Sequence, residues 1–176
     1  KGKTMSNDNI KIGKQFSFIF WILFLVIGYW FFSDQLASQQ NPNQRPVSFV
    51  DGSTSTLVLK RNRQGHYVTS GYINNQPVTF LLDTGATDVA VPEAIANQIG
   101  LQKGQPVRVG TANGTAVAYR TEIDQLRIGE LRLNNLRASV LPGMKSNQIL
   151  LGMSALKQVS FSQVGDELTI QLSQGY

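Results

Sequence analysis

Phe80-Leu81-Leu82-Asp83-Thr84-Gly85-Ala86-Thr87-Asp88 is the stretch that decides the reading of this chain. An apolar run ends on a carboxylate and is followed at once by Thr, Gly and Ala. The apolar run reads as a strand and the small residues as a tight turn. A strand thus delivers the acid, and the turn lets backbone N–H groups and a hydroxyl approach it closely. An acid that activates water needs such a setting; one that is merely solvated does not.

On either side of this stretch, from Tyr67 onward, short alternating runs are broken by turn residues. Tyr67 to Ile73 and Val78 to Leu82 flank Asn74-Asn75, a pair suited to the positive φ of a hairpin turn. Pro92 fits the first position of a helix and Gly100 its end, so Glu93 to Ile99 is predicted helical. Val107 and Val109 alternate with polar residues up to Asn113-Gly114, which marks a hairpin. Val117, Tyr119 and Ile123 continue the alternation on the return strand. Further turns are predicted at Gly129-Glu130, Asn134-Asn135 and Gly165-Asp166. Many short strands with regular turns imply a mainly β domain, a small barrel or sandwich.

The sequence before this domain is of a different kind. Phe16 to Phe32 carries no charge, and its residues would span about 25 Å as a helix, slightly less than a hydrocarbon core of ~30 Å. Trp21, Tyr29 and Trp30 lie within it, the last two near its far end, where aromatic residues favour the membrane interface. A cleaved signal peptide would need a small-residue cleavage site, and Leu36-Ala37-Ser38 is a poor one. A buried helix of a soluble domain would show a polar face, and this run shows none. A retained transmembrane helix is therefore expected. The lysines before it place the N-terminus in the cytoplasm and the rest across the membrane. Asp34 to Thr56, rich in Gln, Asn, Ser and Pro, reads as a flexible tether. The expected organisation is a cytoplasmic segment over residues 1–15, a transmembrane helix over 16–32, a linker over 33–56 and a folded domain over 57–176.

The formal charge of +5 says little about partners. Lys1, Lys3, Lys11 and Lys14 against Asp8 carry much of the excess ahead of the apolar run, and Lys60-Arg61-Asn62-Arg63 is the only later cluster. A solvated domain edge accounts for it, and no nucleic-acid partner is expected. The absence of cysteine rules out disulfides, thiol catalysis and Cys-based metal sites. The single histidine, His66, stands in no nucleophile motif. Glu122, Asp124, Glu130, Asp166 and Glu167 read as solvated strand or turn residues. No motif offers a metal site, and no cofactor is expected.

Three segments together resemble the retropepsin-like aspartic proteases, over about Tyr67 to Leu172. They are Asp83 to Thr87, Thr111 to Gly114 (Thr-Ala-Asn-Gly) and Leu151 to Ser154 (Leu-Gly-Met-Ser), the last overlapping an apolar-apolar-Gly segment, Ile149 to Gly152. The closest similarity is to the bacterial, membrane-anchored, single-domain members. The resemblance implies a small closed β-barrel of the retropepsin type with one or two short helices, after one transmembrane helix. It implies an aspartic endopeptidase with Asp83, Thr84 and Gly85 as catalytic residues. Thr84 would hydrogen-bond across the catalytic pair, and the Gly85 N–H would orient the carboxylate. Ala86, Asp88, Thr111, Ala112, Asn113 and Gly114 would meet an extended peptide substrate, the last four on a mobile hairpin. Asp88 equally suits a turn-stabilising role. Only one Asp-Thr-Gly is present, so the second carboxylate would come from a second copy, in a homodimer. Retroviral members usually carry an Asp and an Arg that ion-pair near the dimer interface; Thr87 and Met153 replace both. The implied location is a bacterial inner membrane with the protease domain in the periplasm. A non-catalytic peptide-binding or assembly module on the same barrel is the rival reading.

Overall fold

A computed structural model describes residues 6–111 and 114–173. The chain divides into two units, Lys1–Gln39 and Gln40–Tyr176. The first contains α1 (Ser6–Gln40). From Phe16 to Gln40 this helix is long and apolar enough to cross a membrane. Its large side chains are exposed all round, Phe18 at 68% and Trp30 at 75%. That is the reverse of a soluble core helix, which buries one stripe. The helix runs eight residues beyond Phe32, the expected end of the span, because Ser33 to Gln40 contains no Gly or Pro to stop it.

In the second unit the strands are β1 (Val47–Asp51), β2 (Thr54–Lys60), β3 (Val68–Ile73), β4 (Gln76–Leu82), β5 (Val89–Pro92), β6 (Pro106–Thr111), β7 (Gly114–Ile128), β8 (Leu131–Leu141), β9 (Ile149–Leu151), β10 (Ser160–Val164) and β11 (Glu167–Ser173). Two short helices, α2 (Glu93–Ile99) and α3 (Met153–Leu156), accompany them. The main sheet runs in the order β3-β4-β9-β5-β8-β7-β6, and β3 also pairs with β7. Pairing therefore travels round a ring. The ring is incomplete as a barrel: β5 meets β9 through Ala90↔Leu150, and β3 meets β7 through Tyr72↔Arg127 and Ile73↔Leu126. A separate antiparallel sheet has the order β1-β2-β11-β10.

Inward-facing alternation fills the interior. Phe80, Ile123, Leu126, Val140 and Ile149 are fully buried, joined by Leu57 and Ile170 from the smaller sheet. The predicted turns at Asn74-Asn75, Gly129 and Gly165 form, with φ of 46°, 67°, 56° and 59° in turn. α2 has the predicted bounds; Pro92 stands just outside it as the cap, and Gly100 closes it at φ 76°. The turn expected at Asn134-Asn135 does not form. Both lie inside β8, and the pairing with β7 keeps one register through them, Ile123↔Leu136 before and Gln125↔Asn134 after. Asn135 alone takes φ 53°, a left-handed excursion that Asn tolerates without ending a strand.

The stretch 33–56, expected as a flexible tether, is structured. Besides the end of α1 it carries β1 and the buried Asn43. The Asn43 amide donates to the carbonyls of Lys60 and Val68 and its oxygen accepts from the Lys60 N–H. The Asn41 amide donates to Ser70 Oγ, and the Asn62 amide donates to the Gln40 carbonyl. Polar side chains dock this segment, which is why it lacks an apolar period.

Candidate active site

Asp83 follows directly on β4, half-buried. Its N–H donates to the Leu151 carbonyl at 3.2 Å, so β9, running parallel beside β4, sets where the acid emerges. The chain then turns back, with the Ala86 N–H donating to the Asp83 carbonyl. The turn brings the Gly85 N–H to Asp83 Oδ1 at 2.8 Å. An N–H aimed at a carboxylate oxygen holds the group in one orientation. A Cβ on Gly85 would sit 3.1 Å from that same oxygen, so glycine leaves the approach open.

The far side of the loop rests on Gly152 and α3. The Met153 N–H donates to the Ala86 carbonyl at 2.8 Å and the Ser154 N–H to the Thr87 carbonyl at 2.9 Å. A Cβ on Gly152 would fall on the Asp88 carbonyl oxygen and 2.6 Å from that of Ala86. Only glycine allows the two backbones to lie so close. Ser154 is 4% exposed; its hydroxyl accepts from the Val89 N–H at 3.1 Å and donates to the Arg137 carbonyl at 2.8 Å. At Thr87 and Met153, the positions of the missing ion pair, these backbone bonds join the loop to α3.

Asp88 ends the loop beside Arg137 of β8, with Nη2 3.8 Å from Oδ1. That spacing is an ion pair without a hydrogen bond. Oδ1 is buried and has no hydrogen-bond partner, although the side chain as a whole is one-third exposed. Both residues line a groove of about 700 Å³ that also takes in Arg120, Glu122 and Asp124.

Asp83, Thr84, Gly85, Ala86 and Asp88 thus share one loop. Thr111 and Gly114 lie on the β6–β7 hairpin, where the Thr111 hydroxyl donates to the Gly114 carbonyl at 2.7 Å. Ala112 and Asn113 lie outside the described residues. Sequence reasoning gave no site role to Ser154 or Arg137. Ser154 lay in plain view within Leu-Gly-Met-Ser, but a buried serine has no signature of its own. Arg137 carries no local signal at all, because only the parallel pairing of β5 with β8, Val89↔Ala138, brings it to the loop. Among the described residues no group of His, Asp or Glu is placed to hold a metal ion.

Residues 69–158 match the family model described as "gag-polyprotein putative aspartyl protease". The chain belongs to this family of retropepsin-like aspartic proteases. It is 30% identical over 144 residues to an uncharacterised protein from the cobV 5′ region of Sinorhizobium sp, covering 80% of this chain and 62% of the relative. It is 30% identical over 118 residues to an uncharacterised protein of Rickettsia prowazekii (strain Madrid E), covering 65% of this chain and 50% of the relative. The chain therefore spans less than two thirds of the length of either relative. The crystal structure of a retropepsin-like aspartic protease from Rickettsia conorii superposes with a TM-score of 0.56 at 26% identity. That match covers 73% of this chain and 95% of the other.

Proposed function

We propose that this family member is a membrane-anchored aspartic endopeptidase that works as a homodimer, with Asp83 of each copy forming the catalytic dyad. The observation that carries the reading is the Asp83 loop itself: a single carboxylate held by the Gly85 N–H at the end of β4. Hydrolysis without metal or covalent intermediate needs two carboxyl groups around one water. One, ionised, takes the water's proton; the other, protonated, donates to the substrate carbonyl oxygen. Two such groups placed close together cannot both ionise cheaply, so the pair shares a proton and titrates as a unit.

One chain supplies half of this arrangement, and closed twofold symmetry would supply the rest. Thr84 is exposed, so its hydroxyl is available for a hydrogen bond across the dyad. The β6–β7 hairpin, on which Thr111 pairs with Gly114, acts as a lid over an extended peptide. Ala86 and Asp88, on the same loop as Asp83, would meet the bound peptide. The apolar helix holds the domain at a bacterial inner membrane, with the N-terminal lysines cytoplasmic and the domain periplasmic.

The test is cleavage of a peptide library by the full chain, from acidic to neutral pH, beside Asp83→Asn. Cleavage is expected in the native chain. A loss of about a thousandfold or more is expected in the variant, with an unchanged circular dichroism spectrum. Equal cleavage by both would sink the reading. A dimer that cleaves nothing in either form would favour a peptide-binding module.

A further inference from the structure

A second groove, of about 410 Å³, runs between residues 44–46 and strands β3, β4 and β7. Arg45, Ser70, Tyr72, Thr79 and Arg127 give it its polar character, and no Asp or Glu lines it. The Arg127 guanidinium lies over the Tyr72 ring, 4.2 Å from its centroid. Stacking of this kind fixes the guanidinium plane and leaves its N–H edge free for another partner.

Next to the groove, outside its lining, the strand register places a third arginine. Tyr72 pairs with Arg127, and Arg127 pairs with Arg132, across β3, β7 and β8. Directly opposed residues present their side chains on one face, so two like charges face each other, which is unfavourable unless an anion lies between or beside them. Arg45, Arg127 and Arg132 have no carboxylate partner among the described residues; the ion pairs engage Arg61, Lys103 and Arg137 instead. In the turn between β7 and β8 the Glu130 N–H donates to Ser48 Oγ, and the Glu130 carboxylate forms no ion pair among the described residues. Ser70 Oγ accepts from the Asn41 amide and keeps its own proton to donate.

Stacked and opposed guanidiniums beside hydroxyls are the donor set of a phosphate site. Arg45 also lies five residues after Gln40, where the apolar helix ends, within about 18 Å of fully extended chain. We infer that this groove binds a phosphate-bearing anion, and that the anion is the headgroup phosphate of an anionic membrane lipid. The lipid as source rests on the membrane anchoring proposed above; the anion site does not.

The experiment uses the full chain carrying Asp83→Asn in neutral detergent, so that no readout depends on proteolysis. Native mass spectrometry counts bound phosphatidylglycerol against phosphatidylcholine, and calorimetry follows inorganic phosphate. The same measurements are made on a variant that adds Arg45→Gln, Arg127→Gln and Arg132→Gln. The N-terminal lysines contribute equally to both proteins. Preferential retention of phosphatidylglycerol is expected, weakened about fivefold for each arginine removed. Inorganic phosphate that binds as tightly as the lipid and displaces it would overturn the lipid assignment. Equal lipid and phosphate binding by both proteins would overturn the site. Either failure leaves the Asp83 dyad untouched, and inactivity towards peptides leaves the anion site untouched.

Discussion

Gly152 and Ser154 show how little side chain the acid loop needs and how tightly that little is specified. A methyl group at Gly152 would meet the carbonyls of Ala86 and Asp88, both backbone atoms that cannot swing aside. Gly152→Ala is therefore expected to destabilise the domain by about 3 kcal/mol, at the upper end of overpacking costs, read as a lowered urea midpoint. It should also displace the loop that holds Asp83. Ser154→Ala tests a different link. It leaves the Val89 N–H and the Arg137 carbonyl without their buried partner, at a cost of about 1–3 kcal/mol in the same measurement. Because Val89 follows Asp88 in sequence and Arg137 lies beside it in space, peptide affinity should fall as well. Unchanged stability in Ser154→Ala would mean that water replaces the hydroxyl and that the brace is backbone alone.

Two elements depend on single asparagines, for opposite reasons. Asn43 is a clamp whose amide satisfies three backbone groups on β2 and β3. Asn43→Ala strands those groups and is expected to cost about 2–3 kcal/mol, with faster hydrogen exchange at Lys60. Asn43→Asp should do nearly as badly, since a carboxylate cannot donate to two carbonyls. Asn135 instead permits a backbone excursion inside a continuous strand. Asn135→Gly should fold with near-native stability, whereas Asn135→Val should lose about 1–2 kcal/mol because a β-branched residue resists the left-handed region. Equal stability of the two variants would show that the strand relaxes to ordinary geometry.

Dimerisation is the prediction that belongs to the whole molecule. If each active site takes one Asp83 from each copy, native chain mixed with an equal amount of Asp83→Asn under exchanging conditions forms few native pairs. With total protein held constant, about a quarter of the dimers would carry two intact acids, so activity should fall to about a quarter of that of the native chain alone. A fall to half would mean that each chain works alone. Activity should also drop faster than concentration on dilution, and co-reconstitution in one bilayer should lessen that drop by raising the local concentration.

What the sequence by itself determined were local matters, set by neighbouring residues and short-range sterics. The strand that carries Asp83, the Gly-containing turn after it, the Asn74-Asn75 and Gly165 turns, the bounds of α2 and the apolar helix were all legible in this way. The family was legible too, because its motifs are contiguous runs. Tertiary structure decided whatever depended on partners far apart in the chain. It turned the supposed tether into a docked segment, because the groups that receive Asn43 lie on β2 and β3. It absorbed Asn134-Asn135 into β8, because pairing with β7 outweighed a local preference to turn. It brought Arg137 to Asp88 and opposed Arg127 to Arg132 through strand register, which leaves no mark in any short window of sequence.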